Sequence, residues 1–364
     1  MKDKYKVVIV GFAHVHINDV AKHFYEHPRI DLCGAADVPP HMPEMKPGAI
    51  YTREWNIDYC CKNYNIPKFD DWKQMLDEVK PDLCVVNSEN CYHVQITEEC
   101  AKRGIGVSIE KPMATTLEDC EAMAAAAAES GKFLMIGHNQ RLAKAHVRAK
   151  QLIDAGTIGR IVTFRTTFGH GGPETWSINP GKNTWFFDKS KAAMGAMADL
   201  GVHKTDLIHY LTGERVVRTT AKVATLDKRG ENGELIGVDD NAMCIYEMTG
   251  GIVGTMTASW TFYGAEDNST VLYGTKGIMK IYDDPAHSIV VTLADGEKQM
   301  YDVEQIQTND NQTKSGVIDL WIDCLKNGRA PEISGESALY AMRAVFASIK
   351  SSELGESVDI PENK

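Results

Sequence analysis

The first 37 residues alternate between apolar runs and a helical stretch, and this order restricts the fold more than any other feature. Tyr5–Val10 have the composition of a fully buried parallel strand, and Gly11 follows directly. After a helical stretch, a second apolar run, Ile30–Ala36, ends at Asp37. Strand, glycine turn, helix, strand and acid is the order of a dinucleotide-binding unit. The sequence therefore predicts a parallel sheet that binds a dinucleotide at the carboxyl ends of its strands.

The glycine turn departs from the usual fingerprint, because its three glycine positions hold Gly11, Ala13 and His16. Alanine still allows the backbone to approach a pyrophosphate closely, whereas histidine at the start of the helix is unusual. A single glycine between a strand and a helix is by itself commonly just a turn. The acid at Asp37 and the repeating pattern favour a cofactor site that includes Gly11, Phe12, Ala13 and His14.

Asp37 lies at the expected distance past the glycine turn to accept a hydrogen bond from a ribose 2′-hydroxyl. Its carboxylate would repel the 2′-phosphate of NADP, and the next two residues, Val38-Pro39, supply no arginine to counter it. We therefore expect NAD to be preferred over NADP. The proline-rich segment 39–50 predicts an irregular loop near the adenosine end of the cofactor.

Strands continue to alternate with helices as far as about residue 137, and this predicts a doubly wound parallel sheet. From residue 144 the pattern changes to one helix and then mostly strands, followed by two final helices. We therefore predict an α/β protein with an N-terminal Rossmann domain, residues 1–138, and a C-terminal α+β domain, residues 139–364, with a large, mostly antiparallel, open-faced sheet. The predicted strands of the second domain are 160–168, 216–224, 240–248, 251–262, 270–273, 278–282 and 289–293.

The charge and the hydropathy pattern exclude several classes of partner. A net charge of −11 argues against nucleic acid and anionic membranes. No apolar run approaches membrane-spanning length, and the charged N-terminus leads directly into a strand rather than a signal peptide. The nine cysteines are odd in number and lack paired zinc-type spacing, so reduced thiols in a cytoplasmic protein fit best.

A lysine follows another predicted strand, in the segment Gly106-Val-Ser-Ile-Glu110-Lys111-Pro112. The proline stops the strand, so Lys111 lies at the carboxyl end, where ligands bind in open α/β sheets. Glu110 keeps the lysine charged or tunes it, depending on burial. Taken alone, these three residues are equally consistent with an ion pair on the surface.

A second group of candidate catalytic residues comprises Asp199, His203 and Asp206, at positions i, i+4 and i+7 of a predicted helix. A histidine between carboxylates can be held in one tautomer with its pKa raised towards neutrality, as a general base for an alcohol requires. A plain hydrogen-bonded helix histidine is the alternative. Asp199 and His203 could both ligate a metal, but no third ligand in the sequence supports this, and we expect no metal.

The long loop between the first two predicted strands of the second domain, residues 169–194, is rich in aromatic residues. A loop of this length is usually functional or disordered. Aromatic rings beside polar groups suit the apolar face of a sugar, and Trp176 is the candidate for this contact. We expect Trp185, Phe186 and Phe187 to anchor the loop to the core.

Glu110-Lys111-Pro112 after an NAD-type unit, followed by Asp199-x-Gly201-x-His203-x-x-Asp206, resembles the Gfo/Idh/MocA oxidoreductase family, which includes inositol dehydrogenases and glucose–fructose oxidoreductase. The resemblance runs over nearly the whole chain. Residues 88–93 match the family's Thr-Pro-Asn-x-x-His segment with the first two residues changed, to Ser88 and Glu89. Asn139-Gln140-Arg141 and the Ile158-Gly159 turn also match. Family members often have a cis bond before the motif's proline, here Lys111–Pro112.

The resemblance implies roles for individual residues. Lys111 would contact the nicotinamide and the reacting hydroxyl, while Asp199 and His203 face the substrate. The implied cofactor-binding residues also include Ser88, Asn90, His93, Glu110 and Gln140, and Arg141 is a further candidate for substrate binding. The substrate class that we expect is a sugar, a glycoside or a cyclitol, and the base is His203 or Lys111.

The expected reaction is NAD-dependent transfer of hydride from a secondary hydroxyl carbon, and the expected assembly is a homodimer or homotetramer formed through the second sheet. One alternative is a glycosidase of the same family, in which bound NAD oxidises the substrate, assists elimination and is reduced again. Another alternative is a non-catalytic NAD-binding sensor. Retention of Lys111, Asp199 and His203 together argues against the sensor.

Overall fold

The structure is a computed structural model that describes residues 2–38, 52–303 and 316–361. The predicted proline-rich loop at 39–50 lies outside the described residues. The chain forms two compact units. The first comprises the described residues within 1–137, 173–193 and 308–339, and the second those within 138–172, 194–307 and 340–364.

A six-stranded sheet, entirely parallel, forms the centre of the first unit, with strand order β3-β2-β1-β4-β5-β6. The prediction of a doubly wound parallel sheet is confirmed. The inner strands are apolar on both faces and buried, as expected for strands covered by helices on both sides. The strands are β1 Tyr5–Val10, β2 Ile30–Ala36, β3 Lys68–Phe69, β4 Leu83–Val86, β5 Gly106–Ile109 and β6 Leu134–Ile136.

Local sequence explains where several helices of the first unit begin. The Thr52 hydroxyl accepts from the backbone N–H of Trp55, and that of Thr116 from the N–H of Asp119, so each threonine caps a helix. Asp71 caps the helix Trp72–Val79 in the same way, with its carboxylate as the acceptor. The helices of the described chain are α1 Ile17–Glu26, α2 Arg53–Tyr64, α3 Trp72–Val79, α4 His93–Lys102, α5 Leu117–Ser130, α6 Lys144–Asp154, α7 Lys189–Ala192, α8 Val202–Thr212, α9 Val317–Asn327 and α10 Gly335–Leu354.

A nine-stranded sheet forms the second unit, with strand order β14-β13-β12-β11-β7-β10-β9-β8-β15. Its pairs are antiparallel except β7 with β10, so the predicted mostly antiparallel sheet is confirmed. The short polar strands β14 and β15 were not predicted, because they lack an apolar run. The strands are β7 Ile161–Gly169, β8 Val216–Ala224, β9 Asn241–Met248, β10 Val253–Ser259, β11 Thr270–Gly274, β12 Gly277–Ile281, β13 Ile289–Leu293, β14 Lys298–Tyr301 and β15 Val358–Asp359.

The two faces of this second sheet differ. On one face, Tyr246, Met256 and Met279 are fully buried, and the Tyr246 hydroxyl lies 3.0 Å from Oγ1 of Thr205 in α8. On the other face, β9 and β10 leave apolar side chains exposed, among them Ile245 and Val253. One side of the sheet is therefore packed by helix α8, and part of the other side faces solvent.

Residues 173–193 belong to the first compact unit, although they come between two elements of the second unit in the chain. Nε1 of Trp185 donates to the carbonyl oxygen of Ala13 at 2.9 Å, and Nδ2 of Asn90 donates to that of Ala192 at 3.1 Å. Trp185, Phe186 and Phe187 are all buried, as expected for residues that anchor this segment. Within the described residues, no helix has both the length and the apolar composition needed to cross a membrane.

Candidate active site

The turn after β1 requires glycine at its first position. Gly11 has a φ of +91°, and a Cβ atom there would lie 2.5 Å from the backbone nitrogen of Ser88. The backbone N–H groups of Ala13 and His14 both donate to the carbonyl oxygen of Asn87, at 3.0 and 3.1 Å. The ends of β1 and β4 are therefore held together at this turn, and the chain backbone passes too closely for any other residue.

Asp37, at the end of β2, lies beside this turn and accepts from the backbone N–H of Phe12 at 3.1 Å. The guanidinium of Arg53 donates to both of its carboxylate oxygens, from Nε at 2.7 Å and from Nη2 at 2.8 Å. Nη1 of Arg53 donates to Glu89. Val38-Pro39 supply no arginine, but α2 contributes one, Arg53, from 16 residues further along the chain.

Arg53 is shared by two carboxylates, so the three side chains together carry a charge of −1. Burial lowers the pKa of the guanidinium, but the hydrogen bonds and charges of Asp37 and Glu89 outweigh burial and raise it above its ordinary value. The arginine is therefore held in place rather than free to move towards another anion.

Lys111 follows β5 and is 5% exposed, and the bond between Lys111 and Pro112 is cis, as the resemblance implies. The carboxylate of its neighbour Glu110 lies beside two histidines of the glycine turn, His14 and His16. Nδ1 of His16 is 3.3 Å from Oε1 of Glu110. Burial alone would raise the pKa of Glu110, but its interactions with His14, His16 and Lys111 hold it well below its ordinary value. The carboxylate is therefore ionised.

The segment after β4 joins neighbouring strand ends. The buried ring of His93 lies with Nδ1 at 3.1 Å from the carbonyl oxygen of Pro112 and with Nε2 at 3.4 Å from that of Ser88. Burial lowers the pKa of His93. Ser88 and Asn90 are also buried here, and Asn90 holds the segment that contains α7. His93 thus positions the turn that contains Lys111.

The predicted sugar-contacting residue, Trp176, also lies near the glycine turn. Its ring packs edge-on against Phe186 at 5.3 Å between centroids, and Phe186 lies 5.9 Å from the ring of His14. Trp176 is half-buried, so part of its ring is accessible. The first unit therefore brings together Trp176, His14 and the residues at the ends of β1, β4 and β5.

In the second unit, Asp199 does not lie in a regular α-helix. Met197–Gly201 form a π-helical turn directly before α8. Because a π-turn has hydrogen bonds from i to i+5, the helix between Asp199 and His203 is not regular, whereas the predicted spacing assumed that it was. Oδ2 of Asp199 accepts from Nε1 of the buried Trp260 at 2.9 Å.

The start of this π-turn is held by another carboxylate, Asp239. Its Oδ1 accepts from the backbone N–H of Gly195 and its Oδ2 from that of Met197, both at 2.7 Å. A Cβ atom on Gly195 would collide with the carbonyl oxygen of Asp239, at 1.8 Å. Burial, reinforced by the charge of Asp240, raises the pKa of Asp239 to about 6 despite these hydrogen bonds.

His203 lies in the first turn of α8 and is buried. Its ring centroid is 6.1 Å from that of His138 and 6.1 Å from that of Phe168. The other predicted carboxylate partner, Asp206, receives two hydrogen bonds from Arg141, both at 2.6 Å. Asp206 is therefore engaged by an arginine, which the sequence pattern did not indicate.

Arg141 and Gln140 belong to a short turn, Asn139–Leu142, that packs within the second unit. Burial raises the pKa of Asp206, but the charges of His138 and Arg141 outweigh it and hold that pKa below its ordinary value. Nε2 of Gln140 donates to Oδ1 of Asn268 at 3.3 Å. In this structure Arg141 thus anchors the turn to α8.

Reasoning from the sequence missed four residues that hold predicted site residues in place: Arg53 and Glu89 in the first unit, and Trp260 and Asp239 in the second. Each acts on a residue that is distant in the chain, so no local spacing could have indicated it. Glu89 gave the one available signal, because it stands where the family's segment has proline.

Two family models match the chain, one after the other. Residues 5–138 match the model described as "Oxidoreductase family, NAD-binding Rossmann fold". Residues 146–280 match the model of the GFO/IDH/MocA C-terminal domain. The first match spans all six strands of the parallel sheet, and the second spans β7 to β11 and most of β12 in the second sheet.

Curated relatives are similar over part or most of their length. Levoglucosan dehydrogenase of Pseudarthrobacter phenanthrenivorans is 31% identical over 227 residues, and this match covers 57% of each chain. Myo-inositol 2-dehydrogenase of Thermotoga maritima is 24% identical over 301 residues, which cover 81% of this chain and 84% of that protein.

Solved structures share the fold over the whole chain. Levoglucosan dehydrogenase in complex with NADH superposes with a TM-score of 0.80 at 20% identity, covering 99% of this chain and 100% of that one. The aldose–aldose oxidoreductase of Caulobacter crescentus gives a TM-score of 0.79 at 24% identity, covering 98% and 99%. The chain therefore belongs to the GFO/IDH/MocA family of oxidoreductases, with an NAD-binding Rossmann fold in its first 138 residues.

Proposed function

We propose that the protein is an NAD-dependent dehydrogenase that oxidises a secondary hydroxyl group of a sugar, a glycoside or a cyclitol. The observation that carries this proposal is Lys111, a nearly buried cation at the carboxyl end of β5 in the nucleotide-binding sheet. The names of the relatives support the substrate class, since they include levoglucosan dehydrogenase, myo-inositol 2-dehydrogenase and the D-glucoside 3-dehydrogenase of Escherichia coli.

The residues at the glycine turn fit a dinucleotide. Gly11 keeps the backbone free of a Cβ atom where the chain passes closest, and Asp37 presents a carboxylate beside the N–H of Phe12. We infer that Gly11, Phe12, Ala13, His14, Asp37, Ser88, Asn90, His93, Glu110, Lys111 and Gln140 form or support the cofactor site. When bound, NAD supplies the hydride acceptor.

The catalytic roles that we propose follow from the chemistry of three side chains. His203 accepts the proton of the substrate hydroxyl, as a general base. Asp199, fixed by Trp260, orients the substrate and the histidine. Lys111 stabilises the developing alkoxide, an effect of the kind that is worth about 3–4 kcal/mol when one donor is lost.

NAD is preferred over NADP in this proposal because the side chains of Asp37, Glu89 and Arg53 sum to a charge of −1 beside the ribose position. Arg53 is engaged by both carboxylates and would have to give up hydrogen bonds to reach a 2′-phosphate. The relatives do not decide the matter, because two scyllo-inositol 2-dehydrogenases of Bacillus subtilis are named for different cofactors, NAD(+) and NADP(+).

We further propose that residues 1–138 serve as the cofactor domain and residues 139–364 as the substrate and oligomerisation domain. Trp176 contributes a ring to the substrate site together with Lys111, Asp199 and His203. Arg141 contributes indirectly, by holding α8 through Asp206.

The chain assembles in this proposal as a homo-oligomer, through the exposed face of the second sheet. A cross-strand row of Val253, Thr163, Tyr273 and Ile278 is in register across β10, β7, β11 and β12. Three of these four side chains are large, apolar and exposed. Exposed apolar patches of this kind mark interfaces.

The experiment that tests the proposed reaction is a substrate panel. Levoglucosan, myo-inositol, scyllo-inositol and D-glucosides are each incubated with the purified protein and NAD, and the NADH absorbance band is followed. We expect stoichiometric NADH formation with at least one of them. Release of a sugar from a glycoside without net NADH would instead support the NAD-assisted glycosidase.

A further inference from the structure

Three potential metal ligands meet at the end of the nucleotide-binding sheet. His14 and His16 come from the turn between β1 and α1, and Glu110 follows β5. One ligand atom from each residue lies within 4.8 Å of the other two. We refer to these residues as the His–His–Glu cluster.

The ligand types in the His–His–Glu cluster suit a divalent transition metal. Two imidazole nitrogens and one carboxylate oxygen are a common set for Zn²⁺, and they leave a fourth position open. Nδ1 of His16 is 3.3 Å from Oε1 of Glu110. Two ligands in a tetrahedron with bonds of about 2.0–2.1 Å are about 3.3–3.4 Å apart, so this pair already has the required spacing.

The surroundings of the cluster hold its ligands in place. The backbone of the turn is fixed because the N–H groups of Ala13 and His14 donate to the carbonyl oxygen of Asn87. The ring of His14 packs between those of His16, at 4.5 Å, and Phe186, at 5.9 Å. An apolar wall beside rigid ligands limits the access of water, which is typical of metal sites.

Two features oppose a cation here. The N-terminus of α1 carries a partial positive charge, and Lys111 follows Glu110 directly. The Glu110 carboxylate offsets part of this repulsion. We therefore expect weaker binding than in a closed site with four protein ligands.

From this geometry we propose that His14, His16 and Glu110 form a three-ligand site for a divalent transition-metal ion of the Zn²⁺ class. The proposal does not depend on the dehydrogenase activity. It is tested with metal alone, on the full chain freed of dinucleotide.

The test measures Zn²⁺ affinity by competition with a chromophoric chelator, for the wild-type protein and for His16→Ala and Glu110→Gln. We expect one Zn²⁺ per chain in the wild type and an affinity at least about tenfold lower in each variant. Co²⁺ should give a visible absorption band in the wild type that each variant loses. Melting temperatures without metal identify any variant that does not fold, and Glu110→Gln keeps the shape of the side chain.

A matched control comes from the opposite end of helix α1. His23, Glu26, His27 and Asp319 line a cavity of about 230 Å³ that could hold zinc adventitiously. His27→Ala should therefore leave Zn²⁺ binding at the His–His–Glu cluster unchanged. Equal Zn²⁺ affinity in the wild type, His16→Ala and Glu110→Gln would overturn the proposal. Loss of the measured Zn²⁺ binding in His27→Ala would overturn it as well.

Discussion

At the scale of single residues, Arg53 shows how a charged group can be present beside a proposed cofactor site without being available to the cofactor. Its guanidinium is held by Asp37 and Glu89 and also donates to the carbonyl oxygen of Val38 at 3.1 Å. Removing a carboxylate from this group would leave the arginine with a spare hydrogen-bonding direction. An anionic 2′-phosphate could then take that place.

We predict that Glu89→Gln shifts the cofactor preference towards NADP. The net charge of the three side chains would rise from −1 to 0, and the ratio of kcat/KM for NAD to that for NADP should fall by roughly tenfold, equivalent to about 1.4 kcal/mol. Asp37→Ser should also lower the ratio of kcat/KM for NAD to that for NADP. Once a substrate is known, steady-state kinetics with both cofactors checks this, and a wild type that prefers NADP would refute the account of Asp37.

Lys111 and Arg53 also show what the sequence could and could not predict at this scale. Lys111 was found because a short apolar run ends in a cation and a proline, and this signal is contained in seven neighbouring residues. Arg53 approaches Asp37 from 16 residues away, and the intervening segment gives no periodic pattern. Likewise, the bidentate pair of Arg141 with Asp206 joins residues that are 65 positions apart. Reasoning from spacing cannot detect such partners.

At the scale of elements, the π-turn before α8 depends on contacts from distant strands. Asp239, just before β9, binds the N–H groups of Gly195 and Met197, and Trp260, just after β10, binds Asp199. Spacings of i+4 and i+7 look the same whether or not the helix begins with a π-turn. The sequence therefore predicted the helix but not its first turn.

We predict that Asp239→Asn changes how stability depends on pH. In the folded protein the pKa of Asp239 is raised from 3.8 to about 6, so the native state binds more protons than the unfolded chain between these values. The stability that this carboxyl contributes is therefore full below about pH 4 and is lost as the pH rises through about 6. Melting temperatures from pH 4 to pH 7 should fall less steeply, or rise more steeply, in Asp239→Asn than in the wild type.

The neighbouring Asp240 provides a control of opposite sign. Burial raises its pKa, but hydrogen bonds from the backbone N–H groups of Leu226, Asp227 and Lys228 and from the side chain of Asn241 hold it below its ordinary value. Asp240→Asn should therefore remove stability that is gained as the pH rises. The same pH dependence in the wild type and Asp239→Asn would show that the raised pKa is not present.

At the scale of the whole molecule, the exposed face of the second sheet is the surface through which we propose that the chain self-associates. The sheet was predicted to be open-faced, and Ile245 of β9 and Val253 of β10 are 49% and 43% exposed. The number of strands was underestimated, because β14 and β15 are short and polar. The parallel pairing of β7 with β10 was not predicted either, since local pattern carries no information on pairing.

We predict that Ile245→Lys weakens self-association. A charge in the middle of an apolar interface must be desolvated. The oligomer of the variant should therefore dissociate at a higher protein concentration than that of the wild type. Light scattering at micromolar concentration measures this, and Leu226→Lys, which replaces an exposed leucine outside these strands, is the matched control. A wild type that is monomeric under these conditions would refute assembly through this face.

In the proposed mechanism Lys111 and His203 act on one substrate hydroxyl, and the kinetics of three variants decide whether they do. We predict that His203→Ala lowers kcat by about 10²–10⁴-fold and removes the low-pH limb of the pH–rate profile, because a base must be unprotonated to accept the proton. Lys111→Ala should lower kcat by about 10²–10³-fold while the protein still folds and still binds NADH. The double variant should lose clearly less than the product of the two single losses. Near-full activity of His203→Ala with an unchanged pH profile, or loss of folding or NADH binding in Lys111→Ala, would contradict the account.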